Sequence, residues 1–159
     1  MAKFKVGIYG VNQIIKRFEA APKNMYIQSK IIIDEAVNEM ATKAYQKASN
    51  LPIINTNSKY KRTNNLARSI RQTKYTAGKG ASISAGNNNV KYAAYVEFGT
   101  GQGFGIPVYP NINMGDLEGY AAKFKRGNKL AKMPYRPYMF DSYSEVFSGM
   151  LKKMKSIKI

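Results

Sequence analysis

The stretch from Lys23 to Ser49 constrains the fold more than any other part of this chain. Ile33, Val37, Met40, Ala44 and Ala48 recur at steps of three and four residues. On a 3.6-residue period that places them on one face of a long helix. Pro22 suits the helix start, because its missing N–H would have no partner in the first turn anyway. Asn50 and Pro52 end it. Ile27 and Ile31 lie beside the main stripe and widen it, so the helix is expected to pack on more than one side. Asp34, Glu35 and Glu39 fall on or beside the polar face.

The elements around this helix are shorter. Phe4, Val6 and Ile8 alternate with Lys3, Lys5 and Gly7, the pattern of a short strand with one buried face. Asn12 caps a short helix that runs to Ala21, with Ile14, Ile15 and Phe18 as its apolar face. Residues 51–63 form a polar connector. Thr63-Asn-Asn-Leu-Ala-Arg-Ser-Ile70 opens on capping residues and reads as a short helix. Residues 70–76 and 81–86 alternate on either side of Ala77-Gly-Lys-Gly80, which reads as a β-hairpin. A Gly- and Pro-rich stretch covers about 99–135, and within it residues 115–125 fit one short helix or strand. Met139, Tyr143, Val146, Met150 and Met154 then mark the inward face of a C-terminal helix, whose late Lys152, Lys153 and Lys155 suit the negative end of its dipole.

The fold expected from this order is α+β: a small antiparallel sheet with a long N-terminal helix and a C-terminal helix packed on it. At 159 residues the chain fits a single domain, 1–159, long enough to bury a core.

Composition narrows the function. The chain has 26 Lys and Arg against 9 Asp and Glu, a formal net charge of +17, which is more than solubility needs. Such an excess calls for a polyanionic neighbour. The chain has neither Cys nor His. Disulfides, thiolate metal sites, the commonest metal ligand and the commonest general base are therefore excluded together. No cofactor is expected. The longest aliphatic run is Ile31-Ile32-Ile33, too short to cross a bilayer, and the N-terminus carries no signal-peptide core. The Gly-rich loop 99–105 is spaced G-x-G-x-G-x-G, with no Lys-Ser/Thr after it and Pro107 where a phosphate-binding helix would begin, so nucleotide binding is not expected. The acids form no cluster suited to metal-assisted hydrolysis, and no enzyme is expected.

The bases are distributed unevenly. Residues 40–96 hold ten Lys and Arg with no acid, and Lys123 to Arg136 holds six more. Lys59, Lys61, Arg62, Arg71, Lys74 and Lys79, on the connector and hairpin, are the candidates to face DNA or an acidic partner. No motif for reading base edges accompanies them, so contact with phosphates is the expectation.

Tyr92-Ala-Ala-Tyr-Val-Glu-Phe-Gly-Thr100 stands apart. Tyr92, Tyr95 and Val96 share one face of a helical turn, and Gly99 sits where a helix stop is expected. Glu97 is the sole acid between residues 40 and 115 and is flanked by apolar side chains, so it is expected to be partly buried and to need a partner.

Taken with Thr63-Asn-Asn-Leu-Ala-Arg-Ser-Ile70 and Arg136-Pro-Tyr-Met-Phe140, this element resembles, in order and spacing, the lambdoid-phage tail-component family of neck and tail-completion proteins. The resemblance singles out Tyr92, Tyr95, Glu97, Phe98, Gly99, Thr100, Arg136, Pro137 and Tyr138 as signature positions. Asn64 stands where the family usually has Gly, and Tyr138 where it usually has Phe. The resemblance implies a virion structural protein, assembled in the host bacterial cytoplasm. It further implies a homo-oligomeric ring that meets other neck, portal-side or tail proteins and lets double-stranded DNA pass non-specifically through its lumen, with no membrane. The alternative is a non-specific nucleic-acid-binding protein. Within this scheme Glu97 is expected to form a salt bridge with Arg136 across the base of the 99–135 loop, and neighbouring subunits are expected to order that loop.

Overall fold

The computed structural model describes residues 4–7, 22–52, 63–77, 80–87, 90, 92–99, 104–106, 108, 114–122 and 135–157. The short helix expected over 12–21 and the connector bases Lys59, Lys61 and Arg62 lie outside them, as do Lys79 and Thr100. The elements are β1 (Phe4–Gly7), α1 (Lys23–Ser49), α2 (Asn65–Arg68), β2 (Arg71–Thr76), β3 (Gly80–Ala85), α3 (Ala93–Phe98), α4 (Met114–Ala121) and α5 (Tyr138–Lys155). The fold is α+β, as the pattern of elements requires.

Helix α1 begins and ends where its sequence signals lie. The Met25 N–H bonds to the carbonyl of Pro22 (2.9 Å), and the Asn50 N–H closes the last turn on Gln46 (3.1 Å) and Lys47 (3.2 Å). Its buried face carries Ile33, Ala36, Val37, Met40, Ala44 and Ala48. Helix α5 packs along it with Met139, Tyr143, Val146, Phe147, Met150 and Met154. Ion pairs lace the two helices together at the surface: Lys47 to Glu145 (2.7 Å), Lys43 to Glu145 (3.1 Å) and Lys153 to Glu35 (3.5 Å). The second stripe of α1 is not covered by the described residues. Ile27 and Ile31 are 44% and 52% exposed, against the expectation that both sides of the helix would be packed.

The sheet has strand order β1-β3-β2, antiparallel throughout. As the central strand, β3 is buried at Ala81, Ser82, Ile83 and Ala85, so it does not keep the half-exposed alternation that its sequence suggested. In β2 only Tyr75 is buried. The register of β2 on β3 shifts between Thr73 and Thr76. At this irregularity the Tyr75 N–H donates to Asp34 Oδ1 at 2.7 Å, tying the strand to α1. A bulge re-aims one backbone group, and here the helix supplies its partner.

Two local devices hold α2 in place. Asn64 has φ +53°, in the left-handed region. This accounts for Asn at a position where the resembled family has Gly: after Gly, Asn tolerates this conformation best. Ser69 is buried; its hydroxyl donates to the Leu66 carbonyl (2.6 Å) and accepts the N–H of Gly86 (3.0 Å). Gly86 has φ +99°, and a Cβ there would lie 2.9 Å from the carbonyl oxygen of Val90. Gly86→Ala therefore combines backbone strain with a clash against main chain. It is expected to lower stability by about 1–3 kcal/mol in urea unfolding; an unchanged midpoint would refute the strain.

Candidate functional site

The signature segments meet at the start of α5. Pro137 precedes that helix and offers no side-chain cap. The first N–H groups of a helix lack intrahelical partners and must find them elsewhere. Glu97 supplies them from α3. Its Oε2 accepts the Met139 N–H at 3.0 Å, and its Oε1 accepts the Phe140 N–H at 2.9 Å. Glu97 itself is 0% exposed. Burial is the largest influence on its carboxyl and pushes the pKa up to about 8; the two N–H bonds pull it back down, and nearby Asp141 raises it. The positive end of the helix dipole lies at this same point.

The expected Glu97–Arg136 salt bridge is not formed. The two segments meet through the backbone instead: the Arg136 N–H reaches the carbonyls of Val96 (3.2 Å) and Glu97 (3.3 Å). The Arg136 guanidinium turns away and donates to the Pro52 carbonyl at 2.8 Å, clamping the strap that leaves α1. The helix N-terminus gives the buried carboxyl group two preorganised donors, so no guanidinium has to be buried beside it.

Around this cap the packing is aromatic. Phe98 is fully buried, with its ring centroid 6.1 Å from Tyr120 of α4 and 6.0 Å from Phe140 of α5. Its carbonyl accepts the Gly105 N–H at 2.8 Å. Tyr138 is buried, and its hydroxyl points to the Ala93 carbonyl at 3.5 Å. Burial holds its phenol well above the usual range, with the Glu97 carboxyl adding to the shift. Gly99 closes α3 with φ +69° and ψ −174°, a conformation open essentially to Gly alone.

The face shared by Tyr92, Tyr95 and Val96 is not the one that α3 buries as a whole. Tyr92 and Tyr95 are 37% and 38% exposed, while Ala93, Ala94, Val96, Glu97 and Phe98 are buried. The two alanines let α3 approach the core closely, and that outweighs the apolar area of the tyrosines, which keep their polar ends at the surface.

Of the candidate bases, Arg71 and Lys74 are described, and both are exposed on β2. One Arg71 Nη1 donates to the carbonyls of Arg68 and Ile70. Among the described residues no group of three or more acids, His or Cys could hold a metal ion, and no helix is long and apolar enough to cross a membrane. The arrangement presents no activated nucleophile. Its chemistry is that of a structural joint: a buried carboxyl fixing one helix onto another.

Comparison with known families decides what this joint belongs to. A family model described as "Bacteriophage HK97-gp10, putative tail-component" matches residues 12–99, more than half of the chain. The chain belongs to this family of phage tail components. No curated protein and no solved structure matches it. The matched region contains α1, α2, the hairpin and α3, and ends at Gly99. As a phage tail component the protein is a structural part of the virion, working in contact with other phage proteins.

Proposed function

We propose that this phage tail component is a ring-forming subunit of the neck or tail, acting at head–tail connection or tail completion. In this reading it joins capsid-side and tail-side proteins around a channel that passes the genome. The observation that carries the proposal is a net charge of +17 on a member of a tail-component family. Free in solution, that charge repels itself; around a ring it becomes a positive collar that a polyanion screens. The exposed Arg71 and Lys74 on β2, with Lys59, Lys61, Arg62 and Lys79, supply bases to face DNA or an acidic partner. DNA that must slide past is held through phosphates, with steep salt dependence and no sequence preference.

Electron microscopy and light scattering of the purified protein test this reading. Closed rings with a lumen wide enough for duplex DNA are the expected result. A monomer at every concentration that binds duplex DNA with a steep salt dependence would instead favour the second reading, a non-specific nucleic-acid-binding protein, which rests on the same charge.

A further inference from the structure

Among the described residues, one face of α1 is open, with isoleucines set among polar side chains. Ile31, Ile32 and Ile157 line a groove of about 380 Å³ between α1 and the end of α5, together with Gln28, Glu35, Lys153 and Ser156. Ile27 and Ile31, one turn apart on α1, are both largely exposed. The acids beside the groove are held loosely. Glu35 lies 3.5 Å from Lys153, Glu39 lies 3.9 Å from Lys43, and both are more than half exposed. In contrast, Glu145 is engaged by Lys47 and Lys43 on both of its oxygens.

A basic edge without acids is found on β2. It is an edge strand of the described sheet, and its four successive residues Arg71, Gln72, Thr73 and Lys74 are exposed. Arg68 lies just before them, also exposed, and no acid occurs anywhere from residue 63 to residue 77. Five of the nine acids sit on α1 and α5, interspersed with seven lysines: Asp34, Glu35, Glu39, Asp141 and Glu145.

The geometry points to the α1 groove as the seat for a second copy of this chain, which inserts its basic β2 edge. The inference rests on the ring reading and narrows it: Arg71 and Lys74 meet a neighbouring subunit's Glu35 and Glu39 rather than DNA. The aliphatic stems of Arg71 and Lys74 lie against Ile27 and Ile31, and their charged ends reach the two carboxylates. A guanidinium presents a planar fork of donors that matches a carboxylate better than the Lys153 ammonium does, so it displaces that loose pair. Two copies carrying +17 each repel wherever base meets base, and this pairing brings base to acid. The two surfaces differ and lie on different elements, so the contact is heterologous. Repeated head to tail, it gives a ring if the rotation closes.

Charge reversal tests the contact, read as oligomer mass by light scattering. Glu35→Lys/Glu39→Lys and Arg71→Glu/Lys74→Glu should each raise the concentration for half-assembly by at least about tenfold. All four positions are exposed or half-exposed, and circular dichroism confirms that each variant folds. Mixing the two variants should restore assembly, because each carries the complement of the other. Ile31→Ser, which carries no charge change, should also weaken assembly. Oligomers unchanged by both reversals overturn this contact and leave the ring reading standing. A wild-type protein that is monomeric throughout overturns both. Loss of duplex DNA binding by Arg71→Glu/Lys74→Glu with full assembly retained overturns the contact and assigns those bases to the channel.

Discussion

Glu97→Ala lowers the unfolding free energy by roughly 2–6 kcal/mol at neutral pH, because it strands the Met139 and Phe140 N–H groups in a buried site at a cost of about 1–3 kcal/mol each. Met139 is 0% exposed, so solvent cannot take over the role of the carboxyl. Pro137 cannot take it over either, since it carries no acceptor side chain. A loss below about 1 kcal/mol in urea unfolding would refute the capping role. The same residue carries a pH signature. Its folded pKa, about 8, lies above its unfolded value, near 4.5. The folded state therefore holds the proton more tightly, so this contribution to stability is complete below pH 4.5 and is lost as the pH rises through 8. The folding constant falls by at most about tenfold per pH unit across that window. The chain has no His, the one side chain that ordinarily titrates there. Glu145, held below its usual range chiefly by Lys47, acts at the other end of the scale, losing its contribution as the pH falls through its lowered pKa. Unfolding of the wild type between pH 5 and 8 should slope downward, and Glu97→Gln should flatten the slope. Parallel profiles for the two proteins would count against a protonated Glu97.

Much of this fold is legible in the sequence because long periodic segments with clear stops leave few options. Helix α1 follows its stripe from Pro22 to Asn50, the hairpin strands start and end within one residue of their alternation, and the α5 face named by Met139 to Met154 is the buried one. Where periodicity is short it fails. Tyr92, Tyr95 and Val96 share a face by spacing, yet of the three only Val96 is buried, and the core takes the two alanines instead of the tyrosines. The stretch around Gly115 fits helix or strand equally by pattern, and the structure makes it helix α4. The partner of Glu97 was legible only in half. Burial and the need for a partner follow from a lone acid among apolar residues. That the partner is a pair of main-chain N–H groups does not follow, because every residue carries that donor and no side-chain identity announces it. The exposed half of the α1 stripe is a different case: its sequence asks for a second packing surface that the described part of one copy does not provide.

Phe98→Ala is expected to cost about 3–5 kcal/mol, and its effect should spread in a particular direction. Its ring sits between α4 and α5, against Tyr120 and Phe140, with no exposed surface. Truncation removes the transfer free energy of the ring, leaves a cavity among three helices, and breaks two aromatic contacts at once. The neighbours are not equally able to fill the hole. Helix α5 is long and fixed along α1 by Lys47, Lys43 and Lys153, whereas α4 spans only Met114–Ala121 and buries Leu117 and Ala121. Helix α4 should therefore loosen first. Hydrogen exchange of its amides is expected to rise well before that of α5, and Phe98→Leu should restore most of the protection. Uniform exchange across both helices would mean that Phe98 supports the whole core rather than docking α4. If α4 alone is released, the mutation separates folding of the α1–α5 pair from placement of the segment between Gly99 and Arg136. A virion assembled with that variant then reports whether placement of this segment is needed to build the tail.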